Sequence, residues 1–185
     1  MTRGDAPRGE SVLVSLGSNI EPTVNLERAL EIVAANADVQ AVSSVFATDP
    51  VGGESMPSFL NAALELRTEL EPAVLKYEIL RPIESRLGRQ RTDDRNAPRT
   101  IDLDVALFGD RTIVDHELQL EIPDADILKH AHVAFPLADI APARRHPTTG
   151  RTLADIAAGF GSDCGVQVAP RGAALKEKLA RIKSE

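Results

Sequence analysis

The chain has 185 residues, of which 43% are hydrophobic, and its formal net charge at pH 7 is −7. This length and apolar content predict one globular domain with a buried core. The acidic balance argues against a general nucleic-acid or membrane binder, because those partners are usually met by a cationic surface. No apolar run has the length of a signal peptide or a membrane span, so we expect a cytoplasmic protein.

The first third of the chain alternates strand and helix patterns. An apolar, β-branched run over residues 12–16 predicts a strand that ends in a turn at the sequence GSN. Apolar residues at helical spacing over residues 26–34 predict an amphipathic helix. The segments VQAVSSVFAT and FLNAALELRTEL predict two more strands, separated by a loop that contains Gly and Pro and is long enough to move.

A second helix and one more strand complete the predicted core. Apolar residues recur at helical spacing over residues 72–87, where Pro82 is expected to kink the helix and Gly88 to end it. A strand over residues 100–108 then completes the order β-α-β-β-α-β, the split βαβ or ferredoxin-like arrangement. We therefore predict an α+β protein that has an antiparallel sheet with helices on one face, plus a C-terminal extension.

The pattern is less regular after Gly109. It indicates short strands in RTIVDHELQLEIP, a broken helix in DILKHAHVAFPLADIA and a short helix in TLADIAAGFG. We predict a flexible leader over residues 1–10, a single domain over residues 11–160 and a C-terminal tail of uncertain order over residues 161–185.

Two aspartates interrupt the apolar pattern of the last core strand. Asp102 and Asp104 point to one face of that strand, while Leu103 and Val105 point to the other. The two carboxylates lie about 6–7 Å apart along the strand, and at an effective dielectric near 20 they repel by roughly 2–3 kcal/mol. They are either solvated charges paired with nearby arginines or a site for a divalent cation such as Mg²⁺. The spacing of the two aspartates alone is compatible with both interpretations.

A cluster of arginines immediately precedes the aspartates. Arg89, Arg91, Arg95 and Arg99 lie within eleven residues of the sequence. Guanidinium groups donate bidentate hydrogen bonds to phosphate, so arginines beside a metal site suit phosphoryl transfer. The alternative is a hydrophilic loop with internal salt bridges. The GSN turn, between a strand and a helix, is a weaker candidate to offer backbone N–H groups to an anion.

The sequences GSN, FLNAALEL, LGRQR, APRTIDLDVALFG and PLADIAP occur in this order between about Val12 and Pro147. Together they resemble the 6-hydroxymethyl-7,8-dihydropterin pyrophosphokinase family of folate biosynthesis. The sequence PRTIDLD, at its spacing after LGR, is the most specific of these motifs. The resemblance implies a ferredoxin-like fold, ATP as co-substrate and two Mg²⁺ ions. It also implies transfer of the β,γ-pyrophosphoryl group of ATP to the pterin hydroxymethyl group, with release of AMP.

The resemblance implies roles for individual residues. The implied catalytic residues are Arg89, Arg99, Asp102 and Asp104, and the two aspartates are also the implied metal ligands. The implied pterin-binding residues are Thr48, Val51, Phe59, Asn61 and His132. The implied ATP-binding residues are Glu84, Arg89, Arg91, Arg99, Val105 and His130. Three of these have simpler alternatives: Phe59 as a core residue, Asn61 as a hydrogen-bonding residue at a strand start, and Glu84 on a solvated helix face.

The chain departs from the common family pattern at four positions. Asp124 and His130 stand where many members have a nucleotide-contacting His and Arg, and Asp124 would repel a triphosphate. His132 stands at the position of the second aromatic residue that stacks on the pterin. Asn96 replaces a frequent loop tryptophan. These departures put the details of ATP and pterin binding in question, while the implied reaction class is unaffected.

Two other functional classes fit parts of the pattern. Another Mg-dependent nucleotide-transfer enzyme, such as a nucleotidyltransferase, also uses paired aspartates and arginines but releases pyrophosphate. A non-catalytic ferredoxin-like binding module fits the architecture without the metal pair. For the reading we favour, the expected partners are ATP and the pterin, without nucleic acid or membrane, in a monomer or weak homodimer.

Overall fold

The computed structural model describes residues 9–48, 58–91 and 97–184. Its strands are β1 (Glu10–Ser18), β2 (Asp38–Val42), β3 (Phe46–Thr48), β4 (Phe59–Thr68), β5 (Asp102–Phe108), β6 (Ile113–Asp115), β7 (Leu120–Ile122) and β8 (Val166–Val168). Its α-helices are α1 (Pro22–Asn36), α2 (Pro72–Val74), α3 (Arg81–Arg86), α4 (Ala131–Ile140), α5 (Leu153–Ala158) and α6 (Ala174–Ile182). A π-helical segment (Leu75–Leu80) joins α2 to α3, and a 3-10 turn (Ala125–Leu128) precedes α4. Within these ranges no helix has the length and apolar character needed to cross a membrane.

The main sheet has the strand order β5-β1-β4-β3-β8, and β2 pairs with β4 next to β3. The pairings of these described strands are antiparallel, which confirms the predicted antiparallel sheet in an α+β protein. β1 is central, between β5 and β4, and its apolar run suits a strand with protein on both faces. β6 and β7 form a separate two-stranded hairpin.

One face of the sheet packs against α1 and the helical run from α2 to α3. Val14 of β1, Leu64 of β4 and Leu103 of β5 belong to one buried cluster with Leu30 of α1 and Leu75. Full burial of a side chain of this kind contributes about 1.5–3 kcal/mol relative to leaving it exposed. This cluster is the main core, and it lies on the side of β5 that carries no aspartate.

The helical run over residues 72–87 is not a uniform α-helix. Pro82 lies in the first turn of α3, immediately after the π-helical segment. A proline has no N–H to donate to the preceding turn and its ring crowds that turn, so the predicted disturbance takes the form of a π-helical segment. Gly88 has a φ of 79°, a left-handed conformation that suits glycine and ends the helix as expected.

The two helices of the predicted core lie on one face, and the opposite face is covered by α4, which follows that core in the chain. Leu13 of β1, Ala63 of β4 and Ala106 of β5 form a second buried cluster with Ala134 and Leu137 of α4. The side chains that point away from α1 are apolar over this half of the sheet, and they need a cover that α4 provides. The two aspartates make this face of β5 look polar in the sequence, but they occupy only the first part of the strand, and Ala106 beyond them is buried.

The described residues 161–184 include β8 and α6. β8 pairs with β3 at the edge of the main sheet. Leu175 and Leu179 of α6 belong to the main core. Lys178 of α6 lies 2.7 Å from the Glu31 carboxylate and 3.3 Å from that of Glu27, both on α1. The described part of the C-terminal segment thus packs on the same core as the preceding strands.

The register of β1 with its two neighbours assembles one end of the sheet. Gly17 pairs with Asp102 of β5 on one side and with Asn61 of β4 on the other. Because neighbouring strands lie about 4.8 Å apart, the backbones at Asp102 and Asn61 are about 10 Å apart across Gly17. A Cβ atom at Gly17 would lie 3.4 Å from Asn61 Oδ1. Because glycine has no side chain, the sheet surface between Asp102 and Asn61 stays uncovered at Gly17.

Candidate active site

Asp102 and Asp104 lie on the sheet face opposite Leu103 and Val105, as the strand alternation predicts. Leu103 and Val105 are buried in the main core. Solvent reaches 21% of the Asp102 side chain and 41% of the Asp104 side chain. The carboxylates are therefore accessible to a small ion or substrate, while the backbone that carries them is fixed by the core.

Two arginines neutralise Asp102. Arg99 Nη1 lies 2.5 Å from Asp102 Oδ2, and Arg89 Nε lies 3.9 Å from Oδ1. The side chains of Arg99 and Arg89 are only 18% and 10% exposed. Burial lowers the pKa of Arg89, and the negative charge of Asp102 acts in the opposite direction, so the group stays cationic at neutral pH. A solvated loop with internal salt bridges does not describe these two residues.

The GSN sequence fixes the backbone of Arg99. The N–H groups of Asn19 and Ile20 donate to the Arg99 carbonyl oxygen at 3.1 and 3.2 Å. The Arg99 N–H donates to Asn19 Oδ1 at 2.7 Å, and Ser18 Oγ donates to the Thr100 carbonyl at 2.6 Å. The expectation that the GSN turn offers its N–H groups to an anion is wrong for Asn19, because its N–H, like that of Ile20, already donates to the Arg99 carbonyl oxygen.

Asp104 is paired with a different cation. Lys76 Nζ, from the π-helical segment, lies 3.9 Å from Asp104 Oδ1 and donates to the Gln119 carbonyl oxygen at 2.9 Å. Burial raises the pKa of Asp104, the charge of Asp102 raises it further, and Lys76 lowers it. These surroundings favour the addition of positive charge at the two carboxylates.

Glu84 is buried, with 1% of the residue exposed, so a solvated helix face does not describe it. Its Oε1 accepts the N–H of Leu103 at 2.8 Å, and that N–H lies between the two aspartates. Its Oε2 accepts from Arg91 Nη2 at 2.6 Å, and its carbonyl oxygen accepts the N–H of Arg89 at 3.0 Å. Burial raises the pKa of Glu84, and the bonds from Leu103 and Arg91 oppose that shift. Glu84 joins α3, β5 and two of the arginines.

Residues that the resemblance assigns to the pterin lie across Gly17 from the aspartates. Asn61 Nδ2 donates to Thr48 Oγ1 at 3.3 Å. The ring of Phe59, which is partly exposed and so differs from an ordinary core residue, has the Arg99 guanidinium carbon 5.5 Å from its centroid. Arg99 thus contacts both Asp102 and this aromatic ring. Val51, Arg95 and Asn96 lie outside the described residues.

His132 is at the start of α4, and its ring stacks on that of His130 with centroids 5.2 Å apart. Burial lowers the pKa of His132, and the charges of His130 and Arg99 act in the same direction, so the ring is neutral at pH 7. His130 Nε2 also lies 3.8 Å from Asp126 Oδ1. Among the rings in the described ranges, His132 contacts His130 and not Phe59, so the two expected pterin-stacking rings do not touch.

The side chains of Val105 and Asp124, two residues singled out from the sequence, have structural contacts. The side chain of Val105 lies in the main core, on the face away from the aspartates. Asp124 Oδ1 accepts the N–H of Asp126 at 2.9 Å and so caps the 3-10 turn. Burial raises the pKa of Asp124 to about 6, and the negative charge of Asp104 contributes to the rise.

The donor set at Asp102 and Asp104 fits Mg²⁺ chemically. Mg²⁺ prefers oxygen ligands and is usually bound by one or two carboxylates together with water and substrate phosphates. Within the described ranges there is no cluster of three or more His, Cys, Asp or Glu side chains that would form a closed protein site. The two aspartates are therefore suited to an ion that also takes ligands from water and a phosphate-bearing substrate.

Sequence reasoning missed Lys76 and the central position of Glu84. Lys76 follows Leu75 in the π-helical segment, and its Nζ reaches Asp104 of β5, a contact that helical periodicity does not predict. Arg81, whose Nε lies 3.8 Å from Glu84 Oε2 in the same helix, was also missed. No local pattern reveals the contacts of Lys76 and Glu84 with β5, since Asp104 and Leu103 lie far from them in the sequence.

The fold defines an α+β protein whose antiparallel sheet presents two carboxylates on one face of β5, with two arginines beside them. A family model described as 7,8-dihydro-6-hydroxymethylpterin-pyrophosphokinase (HPPK) matches residues 13–142. The chain belongs to this family, which confirms the resemblance seen in its motifs.

Similar proteins agree with this assignment. The chain is 38% identical over 152 residues to a 2-amino-4-hydroxy-6-hydroxymethyldihydropteridine pyrophosphokinase of Pseudomonas aeruginosa, covering 80% of this chain and 91% of that protein. It is 41% identical over 130 residues to the Bacillus subtilis protein of the same name, covering 69% and 75% respectively. A solved Plasmodium falciparum HPPK-DHPS chain shares the fold, with a TM-score of 0.64 and 13% identity over 85% of this chain. This chain spans 46% of that longer protein.

Proposed function

We propose that the chain transfers the β,γ-pyrophosphoryl group of ATP to the hydroxymethyl oxygen of 6-hydroxymethyl-7,8-dihydropterin and releases AMP, as a pyrophosphokinase of folate biosynthesis. Family membership supports the reaction. The structural observation that carries the site assignment is the position of Arg99, whose guanidinium contacts both the Asp102 carboxylate and the Phe59 ring. One residue thus joins the phosphate side of the site to the pterin side.

The reaction needs positive charge around the phosphates. The hydroxymethyl oxygen forms a bond to the β-phosphorus, the bond between that phosphorus and the α,β-bridging oxygen breaks, and the hydroxyl proton is lost as AMP leaves. Arg89 and Arg99 are already within reach of Asp102, and they would bind phosphate oxygens when a triphosphate occupies the site. Arg91, held by Glu84, is their assistant, with Glu84 on the nucleotide side.

Asp102 and Asp104 would hold two Mg²⁺ ions. When bound, such ions neutralise the negative charge of the triphosphate and orient it for transfer. The aspartates contribute by presenting two carboxylates on one face of a rigid strand whose other face is buried in the core.

The pterin would lie across Gly17 from the metal ligands. Phe59 offers a flat ring for stacking on the heterocycle, and Asn61 and Thr48 offer an amide and a hydroxyl to its polar edge. Val51, in the adjacent loop, and His132, on the second face of the ring, complete the proposed pocket. His130 and the backbone at Val105 are assigned to the nucleotide.

The topology of the core also belongs to this proposal. We assign the βαββαβ core to the ferredoxin-like arrangement, because β5-β1-β4 with β2 and β3 at one edge follows the order of a split βαβ unit. The single domain, the cytoplasmic location, the monomer or weak homodimer, and the absence of nucleic-acid and membrane partners stay predictions.

The test is to identify the nucleotide product. Protein, Mg²⁺, ATP and 6-hydroxymethyl-7,8-dihydropterin are mixed, and the nucleotides are separated by chromatography. We expect AMP to appear in step with pterin consumption. Release of pyrophosphate would instead indicate a nucleotidyltransferase, and absence of turnover with retained pterin binding would indicate a binding module.

A further inference from the structure

Lys76 is a nearly buried cation beside Asp104, and it lies outside the sequence motifs that resemble the family. Only 11% of its side chain is exposed, and its Nζ lies 3.9 Å from Asp104 Oδ1. The same Nζ donates to the Gln119 carbonyl oxygen at 2.9 Å, so the loop between β6 and β7 holds the ammonium group beside the carboxylate. Lys76 therefore has two partners and a restricted position.

The environment of Lys76 matches that of the arginines on the neighbouring carboxylate. Arg99 and Arg89 neutralise Asp102, and Lys76 is the cation that neutralises Asp104. A metal ion that binds these carboxylates takes over that neutralising role. The Lys76 ammonium group, if it stayed 3.9 Å from Asp104, would then repel the metal ion. The lysine gains a new partner if a phosphate oxygen arrives together with the metal.

We propose that Lys76 exchanges partners: it neutralises Asp104 in the free protein and contacts a phosphate oxygen of the nucleotide once a divalent cation occupies the aspartates. This inference rests on the proposed metal site. It predicts effects of opposite sign when the charge is removed. The metal alone should bind more tightly, because a competing cation is gone, and the metal-nucleotide complex should bind less tightly, because a phosphate contact is lost.

The first measurement is Mn²⁺ binding to the full chain without nucleotide, followed by the electron paramagnetic resonance signal of free Mn²⁺. We expect Lys76→Met, which keeps the apolar stem, to bind Mn²⁺ about three- to tenfold more tightly than the wild type. The second measurement is binding of α,β-methylene-ATP with Mg²⁺ by calorimetry, for which Lys76→Met should be about tenfold weaker. Lys76→Arg should restore both values toward the wild type.

Lys178→Met is the matched control, because Lys178 is also a partly buried lysine between carboxylates, with 19% of its side chain exposed. It should change neither measurement. A general loss of structure would weaken both kinds of binding, so the opposite signs separate the proposal from damage to the fold. If Lys76→Met does not fold, Lys76→Gln carries the test of charge removal and Lys76→Arg remains the rescue, since both retain a donor for the Gln119 carbonyl.

Asp104→Asn separates this inference from the proposed metal site. If Asp104→Asn binds Mn²⁺ as the wild type does, the metal site itself is wrong and the role of Lys76 falls with it. If Asp104→Asn loses Mn²⁺ but Lys76→Met binds both Mn²⁺ and the nucleotide analogue as the wild type does, the metal site stands and the partner exchange is wrong.

Discussion

Asp102 and Asp104 are the residues through which the proposed site is most directly tested. Asp102→Asn and Asp104→Asn keep the side-chain shape but remove a charge that would balance Mg²⁺, so kcat should fall by at least about 100-fold. Circular dichroism should show an unchanged fold. Asp110→Asn, at a side chain that is 90% exposed, is the control and should retain full activity. Near-normal kcat in either site variant at saturating Mg²⁺ would contradict the metal assignment.

Glu84 is predicted to act by positioning Arg91 and the peptide between the aspartates. Glu84→Gln keeps an acceptor for the Leu103 N–H and removes the charge that Arg91 binds. We expect kcat/KM for ATP to fall about tenfold, corresponding to about 1.4 kcal/mol. Arg91→Ala should cause a similar loss, and the double variant should be no worse than the larger single one, because the two residues act as a unit.

Losses from the two single changes that multiply in the double variant would show that Glu84 does not act through Arg91. Glu84→Ala serves as a structural comparison, because it also leaves the buried N–H of Leu103 without its acceptor. That change should lower the free energy of unfolding by about 1–3 kcal/mol in urea denaturation, whereas Glu84→Gln should cost less.

His132 is predicted to stack on the pterin as a neutral ring. His132→Phe should preserve or tighten pterin binding, and His132→Ala should weaken it by about 1–2 kcal/mol. The lowered pKa of His132, caused by burial and then by the charges of His130 and Arg99, places its protonation on the acid side of the usual value. Wild-type affinity should therefore fall in acid, while the affinity of the Phe variant should not. Equal pterin affinities of the three proteins at acid and neutral pH would remove His132 from the pocket.

Asp124 makes stability depend on pH. Burial raises its pKa to about 6 in the folded protein, above an unfolded value near 3.9. The protonated carboxyl therefore stabilises the fold at acid pH, and this contribution is lost as the pH rises through about 6. Asp124→Asn should be more stable than the wild type at pH 7.5 by about 1–2 kcal/mol and nearly equal to it at pH 4. A difference that is the same at both pH values in urea denaturation would exclude this origin.

Among the elements, α6 has the clearest test, because it decides whether the segment after residue 160 belongs to the domain. Leu175 of α6 is 1% exposed in the main core. Leu175→Ala should lower the free energy of unfolding by about 2–4 kcal/mol, as a single cooperative transition. Leu70→Ala, at a residue that is 39% exposed, should cost much less. Equal small effects of the two changes would indicate that α6 is a tail outside the domain, as the sequence suggested.

The elements differ in how far the sequence predicted them. β1 and β4 follow from short apolar runs, which are typical of strands covered on both faces, and α1 follows from apolar residues at helical spacing. Local periodicity does not predict the π-helical segment, because Pro82 indicates a disturbance of the helix but not its form. The position of α4 over the second sheet face was also missed, because Leu13 and Ala63 lie in different strands and form a joint apolar surface only after the strands pair.

At the scale of the whole molecule, the α+β class, the antiparallel sheet, the family and the common face of Asp102 and Asp104 could all be predicted from the sequence. These follow from periodicity, from strand alternation and from motifs of fixed spacing, which are all properties of neighbouring residues. Three features emerge only in the folded chain: Gly17 lies between Asp102 and Asn61, Glu84 binds the strand between the aspartates, and Lys76 neutralises Asp104. The physical reason is that burial, ion pairing and strand register join residues far apart in the chain, and their strength depends on distances that no local pattern contains.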